Sequence, residues 1–556
     1  MLRSLRFRIA LTSVLSLNLA ASPLLLGAEA PAEVPSLTIR ANTRFVVVDV
    51  VVTDKKGQPV PALKPENFTI EENGKKQKIA TFTPPGATQS AQQQLPPGVL
   101  SNKPEYLKPA GVPTVLLLDA TNSHFLDQSY GRSQMLKYVV GQAESGKPMA
   151  VMTLTDQLHV LQDFTTDPQI LTSAIKNLRP QEQILQPGAS PARSSISGDS
   201  GARSSAAAAI ASAQLALAGF TNLQVGYVLE RRTVITIDAL RNLSRMLAGF
   251  PGRKNVVWLT ADFPFDLIPT DRNVSDEELL GDLPSVRQKS VGTIASGSLA
   301  SQQRMLHGQE IKQAQADLAS AGIAIYPVDM RGIMTSGIDV NTTFALQELA
   351  AETGGKAYVN QNEIKDGIAL AVADEKASYS LGYYPENKKW DGNFRKIKVK
   401  LDRGDTEIRY RKGYFALDPM LDKNWKPEQE VAGALQMTAP ATQVSFMAQA
   451  KPTDPGKMRV VFLVDAHTLT AEDAGGSKKM NVSLYASVYD PRGKNLGTRS
   501  IKVDRAFDAA TYQQILDKGM MVPIDMDIPA GGQELRLAVL DNKTGLIGTV
   551  TGPLGP

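Results

Sequence analysis

The 556-residue sequence contains no cysteine. That excludes disulfides, thiol nucleophiles, cysteine-ligated zinc and a lipid-modified N-terminal cysteine. Histidine is nearly as scarce, with only His124, His159, His307 and His467. No H-E-x-x-H, G-x-S-x-G or phosphate-cradling P-loop pattern occurs, so hydrolases and nucleotide enzymes lack their usual carriers here. His124 directly follows Ser123, but a serine and a histidine without a third orienting group do not make a triad. Aromatic residues are 6% of the chain. Tyr383, Tyr384 and Trp390 lie in alternating, strand-like text, where packing accounts for them better than a carbohydrate platform. Charge of one sign is missing too: 60 basic residues stand against 56 acidic ones. Three of the basic residues are Arg3, Arg6 and Arg8, so the rest of the chain is close to neutral. A nucleic-acid binder needs a clustered basic face, and none is expected. Beyond the N-terminus, no apolar run is long enough to cross a bilayer.

The first 28 residues read as a signal peptide. Arg3, Arg6 and Arg8 make a positive start, Ile9 to Leu26 is apolar, and L-G-A-E-A offers small residues for cleavage after Ala28. An uncleaved anchor is the alternative, weakened by Asn18, Pro23 and several hydroxyl residues. The expected location is periplasmic or secreted, with no stable membrane span after cleavage.

The organising stretch is T-V-L-L-L-D-A-T-N-S, Thr114 to Ser123. Val115 to Leu118 reads as a strand buried on both faces. After it, Asp119, Thr121 and Ser123 fall at alternate positions, which lets one carboxylate and two hydroxyls converge. Hard cations such as Mg²⁺, Mn²⁺ or Ca²⁺ take such oxygen ligands. Ligands of open α/β sheets bind beyond the carboxyl ends of the strands. The alternative is a turn, with Asp119 capping it and the hydroxyls satisfying backbone groups.

The D-x-T-x-S run resembles the first motif of the metal-ion-dependent adhesion site of von Willebrand factor A domains. Further stretches widen the likeness: AGFPGRKNVVWLTADFP, IAIYPVDMRGI, LAAETGGKAYVN and SYSLGYYPENKKWDGNFRKIKVKL. Together they are similar to the VWFA-related family typical of acidobacterial secreted proteins, over residues 40 to 415. The resemblance implies a doubly wound parallel sheet. It also implies a site completed by a threonine from a second loop and an acid at the end of a central strand. RRTVITIDALRNL offers Thr236 ahead of Ala239-Leu240, with Thr233 as the alternative. The acid is Asp262, one residue later than the family's T-D-G. The implied ligand set is therefore Asp119, Thr121, Ser123, Thr236 and Asp262. A protein partner would complete the ion's coordination with an Asp or Glu.

The rest of the chain reads in order around this centre. Residues 31–83 form a β module with a hairpin at Asn73-Gly74. Asp54 in its first turn reads as a turn residue rather than a calcium ligand. Residues 84–112, rich in Pro and Gln, are a linker or an extended strap. Residues 113–375 are the α/β domain. Its strands are expected at Thr114–Asp119, Met149–Thr153, Asn255–Thr260, Ile323–Val328 and Lys356–Val359. Its helices are expected at Gln128–Gln142, Pro168–Asn177, Ile235–Ala248, Ser301–Ser320 and Phe344–Thr353. A low-complexity loop over 181–218, with an Ala-rich stretch that offers a short helix, interrupts it. Residues 376–415 alternate as strands; family resemblance has them complete the N-terminal module, and an isolated three-stranded sheet would be marginal. Residues 430–556 read as a separate β-sandwich with an amphipathic excursion near Ala509–Lys518. The expected fold class is thus multidomain α/β plus all-β, with Ig-like sandwich modules flanking the α/β sheet. Three functions follow: a non-enzymatic protein-binding or adhesion module, a structural envelope scaffold with a degenerate metal site, and, least supported, a hydrolase.

Overall fold

The computed structural model describes residues 45–86, 93–107, 111–141, 146–180, 205–264, 306–333, 340–418, 425–437 and 439–554, with side chains from 226 onward in the helix that starts at Ser205 and from 342 onward in the one that starts at Val340. The expected signal peptide lies outside them. The fold is mixed α/β with several sheets. Its central sheet runs in the order Ile323–Asp329, Lys254–Thr260, Thr114–Asp119, Met149–Leu154, Leu158–Thr165. The first four strands are parallel to one another. All four are near-continuous apolar runs and all are buried along their whole length, as strands covered on both faces must be.

Alternation along the central strand divides the two covering layers. Val115 and Leu117 face Leu240, Leu243 and Leu247 of helix Ser205–Leu247, with Leu318 and Leu346 of two further helices. Leu116 and Leu118 face Met135, Ile175 and Ile368, from helices Phe125–Gly141, Pro168–Asn177 and Ile364–Ala373. The strand Thr114–Asp119 is therefore the middle of three layers, and its carboxyl end opens on the edge where the site is built.

Several expectations need correction. Leu158–Thr165 is an antiparallel edge strand that the sequence reading left out; it hairpins back onto Met149–Leu154. Its residues are mostly half-exposed, so it carries no apolar run to announce it. Lys356–Val359 is reduced to one parallel bridge, Val328 to Tyr358. Of the low-complexity loop, 181–204 lies outside the described residues. From Ser205 the Ala-rich text is the beginning of a 43-residue helix ending at Leu247, because alanine is the strongest helix former. The helix expected at Phe344–Thr353 starts earlier, at Val340, so that Asn341, Thr342 and Thr343 lie inside it.

Strand Val46–Asp54 pairs with Ser378–Tyr383 on one side and Thr406–Arg409 on the other. Phe394–Leu401 pairs with Phe68–Glu72. Two four-stranded sheets thus draw strands from both sides of the α/β segment, and Val48, Val50, Ile70, Tyr379, Leu381 and Val399 fill the space between them. Asp54 Oδ1 accepts from Lys56 N and Gln58 N at 2.8 Å each, the bonding of a turn residue. Between the layers lies a buried polar group: Glu72 accepts from Tyr383 and Tyr414 hydroxyls at 2.8 Å each and faces Arg395 at 3.4 Å.

Part of the Pro/Gln-rich segment acts as a strap. Val99–Ser101 forms an edge strand against Phe446–Pro452. The following Asn102 is fully buried. It donates to Ala441 and Val444 carbonyls and accepts from Phe446 N. The C-terminal sandwich is completed by Lys457–Val464 and Met520–Asp527 in one sheet, and by Ser477–Tyr489 and its neighbours in the other. The excursion at Ala509–Lys518 is a helix, capped by Asp508 onto Thr511 N. Glu430, on helix Pro427–Leu435, ties this half to the long helix through Arg241 and Arg245.

Candidate functional site

The site forms where the central strand stops. Asp119 is fully buried, and a buried carboxylate needs donors. It has four. Oδ1 accepts from Asn122 N at 2.9 Å. Oδ2 accepts from Asn122 Nδ2 at 2.9 Å, Trp258 Nε1 at 3.0 Å and Thr260 Oγ1 at 3.0 Å. Trp258 and Thr260 are two apart on the neighbouring strand, so they share a face and both reach the acid. Burial pushes the Asp119 carboxyl above the usual range, while the bonds from Asn122, Trp258 and Thr260 hold it down.

The other expected residues gather around the same end of the sheet. Thr121 Oγ1 donates to the Thr155 carbonyl and stands 3.3 Å from the Leu154 carbonyl. Ser123 is fully buried, and its Oγ accepts from Ala261 N at 2.9 Å. Thr236 Oγ1 accepts from Asn122 Nδ2 at 3.0 Å. Of the two threonines weighed for this role, Thr236 therefore joins the network; Thr233 is buried with no hydrogen-bond partner for its hydroxyl among the described residues. Asp262 Oδ2 pairs with Arg232 Nη2 at 2.8 Å, and Oδ1 accepts from Thr342 Oγ1 and Phe263 N.

Sequence reasoning missed the groups that link these residues: Asn122, Arg232, Trp258, Thr260 and Thr342. Arg232 is decisive. Its Nε donates to Asn122 Oδ1 at 2.8 Å while Nη2 holds Asp262. A usable signal was present. Arg232 and Thr236 are four apart on one helix and so lie on one face, and together they take both ends of the Asn122 amide.

An ion such as Mg²⁺, Mn²⁺ or Ca²⁺ needs converging oxygen lone pairs. Each of the five expected ligand side chains is instead committed to a protein group. The Asn122 amide nitrogen sits between Asp119 Oδ2 and Thr236 Oγ1, where an ion would have to bridge them. The positive charge beside the site is already present in the guanidinium of Arg232. The residues as arranged do not fit a divalent ion. Nor do they fit a serine nucleophile: Ser123 is sealed from solvent, and His124 is exposed beside it. Among the described residues no group of three or more His, Asp and Glu side chains forms a metal cage.

Around the network the surface turns apolar. Phe125 and Leu126, the first residues of the helix after Ser123, are 48% and 77% exposed. Ile333, beyond the end of strand Ile323–Asp329, is 56% exposed. Tyr130, one turn along from Leu126, donates to the Asn362 carbonyl, and Asn362 Oδ1 accepts from Ile333 N, so the two loops are tied together. Asp127 lies half-buried in this rim. Burial raises its carboxyl above the ordinary value, and Asp329 adds to this, against the opposing charges of His124 and Arg331. A raised folded-state value means that stability is fullest below it and is lost as pH rises through it. Asp127→Asn is therefore expected to raise the urea midpoint near pH 7, with a gain that shrinks as pH falls toward the ordinary carboxylate range.

No protein-family model matches this chain, and no curated protein matches it. Solved structures with some likeness include an aerotolerance-related membrane protein from Bacteroides fragilis, at 12% identity over 48% of this chain and 100% of that one, TM-score 0.23. The vWF domain of the type V pili tip protein Mfa5 from Porphyromonas gingivalis is 11% identical over 47% of this chain and 94% of its own, TM-score 0.24. The pilus adhesin SpaC from Lactobacillus rhamnosus GG is 10% identical over 90% of this chain and 71% of its own, TM-score 0.25. Scores this low carry no inference about the fold, partner or activity of this chain.

Proposed function

We propose that this chain is an exported, non-enzymatic binding protein of the von Willebrand factor A type, which holds a protein partner at the carboxyl edge of its α/β sheet. The observation that carries the reading is the apolar rim of Phe125, Leu126 and Ile333 beside a rigid, fully hydrogen-bonded floor. Large apolar side chains grouped at a loop edge are the anchors that protein interfaces bury. The partner surface implied is a folded protein presenting apolar side chains to this edge, with polar groups meeting Asp127 and Arg331 around it. The leader-like residues 1–28 support export. No described helix is long and apolar enough to cross a membrane.

The test places a photo-crosslinking amino acid at position 126 in the expressing cell and identifies the captured protein by mass spectrometry. The purified partner is then titrated against native protein and a Phe125→Ser, Leu126→Ser double variant. A loss of at least about tenfold in affinity is expected, the scale of one interface hot spot. Unchanged affinity would sink the rim as the binding edge and move the interaction to the β modules, the scaffold reading.

A further inference from the structure

The sequence motif and the geometry at the end of the central strand disagree about one thing, the ion. D-x-T-x-S with a threonine and an acid elsewhere is an oxygen-rich set. In the folded chain those oxygens meet nitrogen donors. Asp119 takes three N–H groups and one hydroxyl. Ser123 takes the Ala261 N–H. Thr236 takes the Asn122 amide, and Asp262 takes the Arg232 guanidinium and the Phe263 N–H.

We propose that Arg232 and the Asn122 amide together replace the divalent ion, making this edge a metal-independent lock. The division of labour follows from chemistry. An ion at such a site does two things: it bridges oxygens from separate loops, and it neutralises carboxylates. The Asn122 side chain does the bridging, since its nitrogen donates to Asp119 and Thr236 while its oxygen accepts from Arg232. The Arg232 fork does the neutralising, with one nitrogen on the amide and another on Asp262. Arg232 is itself buried. A divalent ion entering here would have to displace the amide and sit beside a permanently charged guanidinium in a low-dielectric pocket. Unlike an ion, the arginine cannot be chelated, exchanged or left with an open coordination position for a partner's carboxylate. The inference goes beyond the binding reading and holds whichever partner docks, or none.

The test uses the full chain. Free Mn²⁺ is followed by electron paramagnetic resonance during titration, with calorimetry for Mg²⁺ and Ca²⁺, and thermal midpoints are recorded in chelator and in millimolar ion. Native protein is expected to leave the Mn²⁺ signal undiminished and to melt at the same temperature with or without ion. Arg232→Met is expected to lower the midpoint by roughly 4 to 8 °C, since it removes a half-exposed ion pair and leaves the buried Asn122 amide oxygen without its donor. Arg232→Lys, which keeps the charge but not the fork, should recover only part of it. Saturable binding of any of the three ions by native protein that disappears in Asp119→Asn would overturn the proposal. So would an Arg232→Met midpoint equal to the native one. If Arg232→Met does not fold, the native titration and the lysine variant decide alone.

Discussion

Asp119→Ala is expected to cost about 3 to 5 kcal/mol, the range for removing one member of a buried, charged hydrogen-bond network. The reason is the donors left behind. Asn122 N, Asn122 Nδ2, Trp258 Nε1 and Thr260 Oγ1 all point at that carboxylate, and the site is closed to water. Asp119→Asn should be nearly as harmful. Its oxygen can still accept from Asn122 N, but its NH₂ then opposes three donors. Urea unfolding followed by tryptophan fluorescence checks both variants, since Trp258 is itself one of the donors. A cost under about 1 kcal/mol for Asp119→Ala, the worth of one ordinary hydrogen bond, would show that the network is not what holds this edge.

Glu72→Ala should be comparably severe in the β module, again about 3 to 5 kcal/mol, because it strands a buried arginine. Arg395 and Glu72 are both buried. Arg395 keeps backbone carbonyl partners at Asn387 and Lys389, so its hydrogen bonds are only partly lost; its counter-charge is lost entirely. The hydroxyls of Tyr383 and Tyr414 lose their acceptor at the same time. Glu72→Gln keeps an acceptor of the same shape and should cost distinctly less. The cost of the glutamine variant against native protein reports the charge, and the difference between the two variants reports the lost acceptor. Hydrogen exchange should show the loss first in Ser378–Tyr383 and Phe394–Leu401, the strands that carry Tyr383 and Arg395.

What the sequence made legible was what apolar pattern alone decides. Val115–Leu118, Val256–Leu259 and Ile323–Tyr326 are runs with no polar interruption, and each is a buried central strand. Leu158–Thr165 was not legible, because an edge strand with one solvent-facing side carries little periodicity. The Ala-rich stretch was legible only in part: low complexity suggests a loop with at most a short helix, whereas residue by residue it is helix-forming text that opens a 43-residue helix. At the site, the oxygen-bearing residues were found because motif spacing marks them. Arg232, Trp258 and Thr342 were not, because their roles depend on which strands and helices become neighbours. Nothing in the spacing of D-x-T-x-S says whether the five expected ligands gather around an ion or a guanidinium 110 residues away from Asn122.

The long-range strand pairings have a further consequence, for modularity. Val46 pairs with Tyr383, and Ser101 pairs with Met447. In chain order these residues interleave: the second pairing begins inside the first and ends outside it. Neither β body can then be lifted out as a cassette. A cut after residue 83 removes the strap from the C-terminal sandwich, and a cut after residue 415 parts that sandwich from the strand at Val99–Ser101. Nested domains can be gained or lost by a single insertion, but crossed ones cannot. A gene segment encoding only the C-terminal sandwich would strand Val99–Ser101 without its partner, whereas the α/β part is nested inside both pairings and its loss breaks neither. Expression fragments should therefore keep residues 45–554 together, and recombination within this architecture is expected to exchange loops or the nested α/β body rather than either β body.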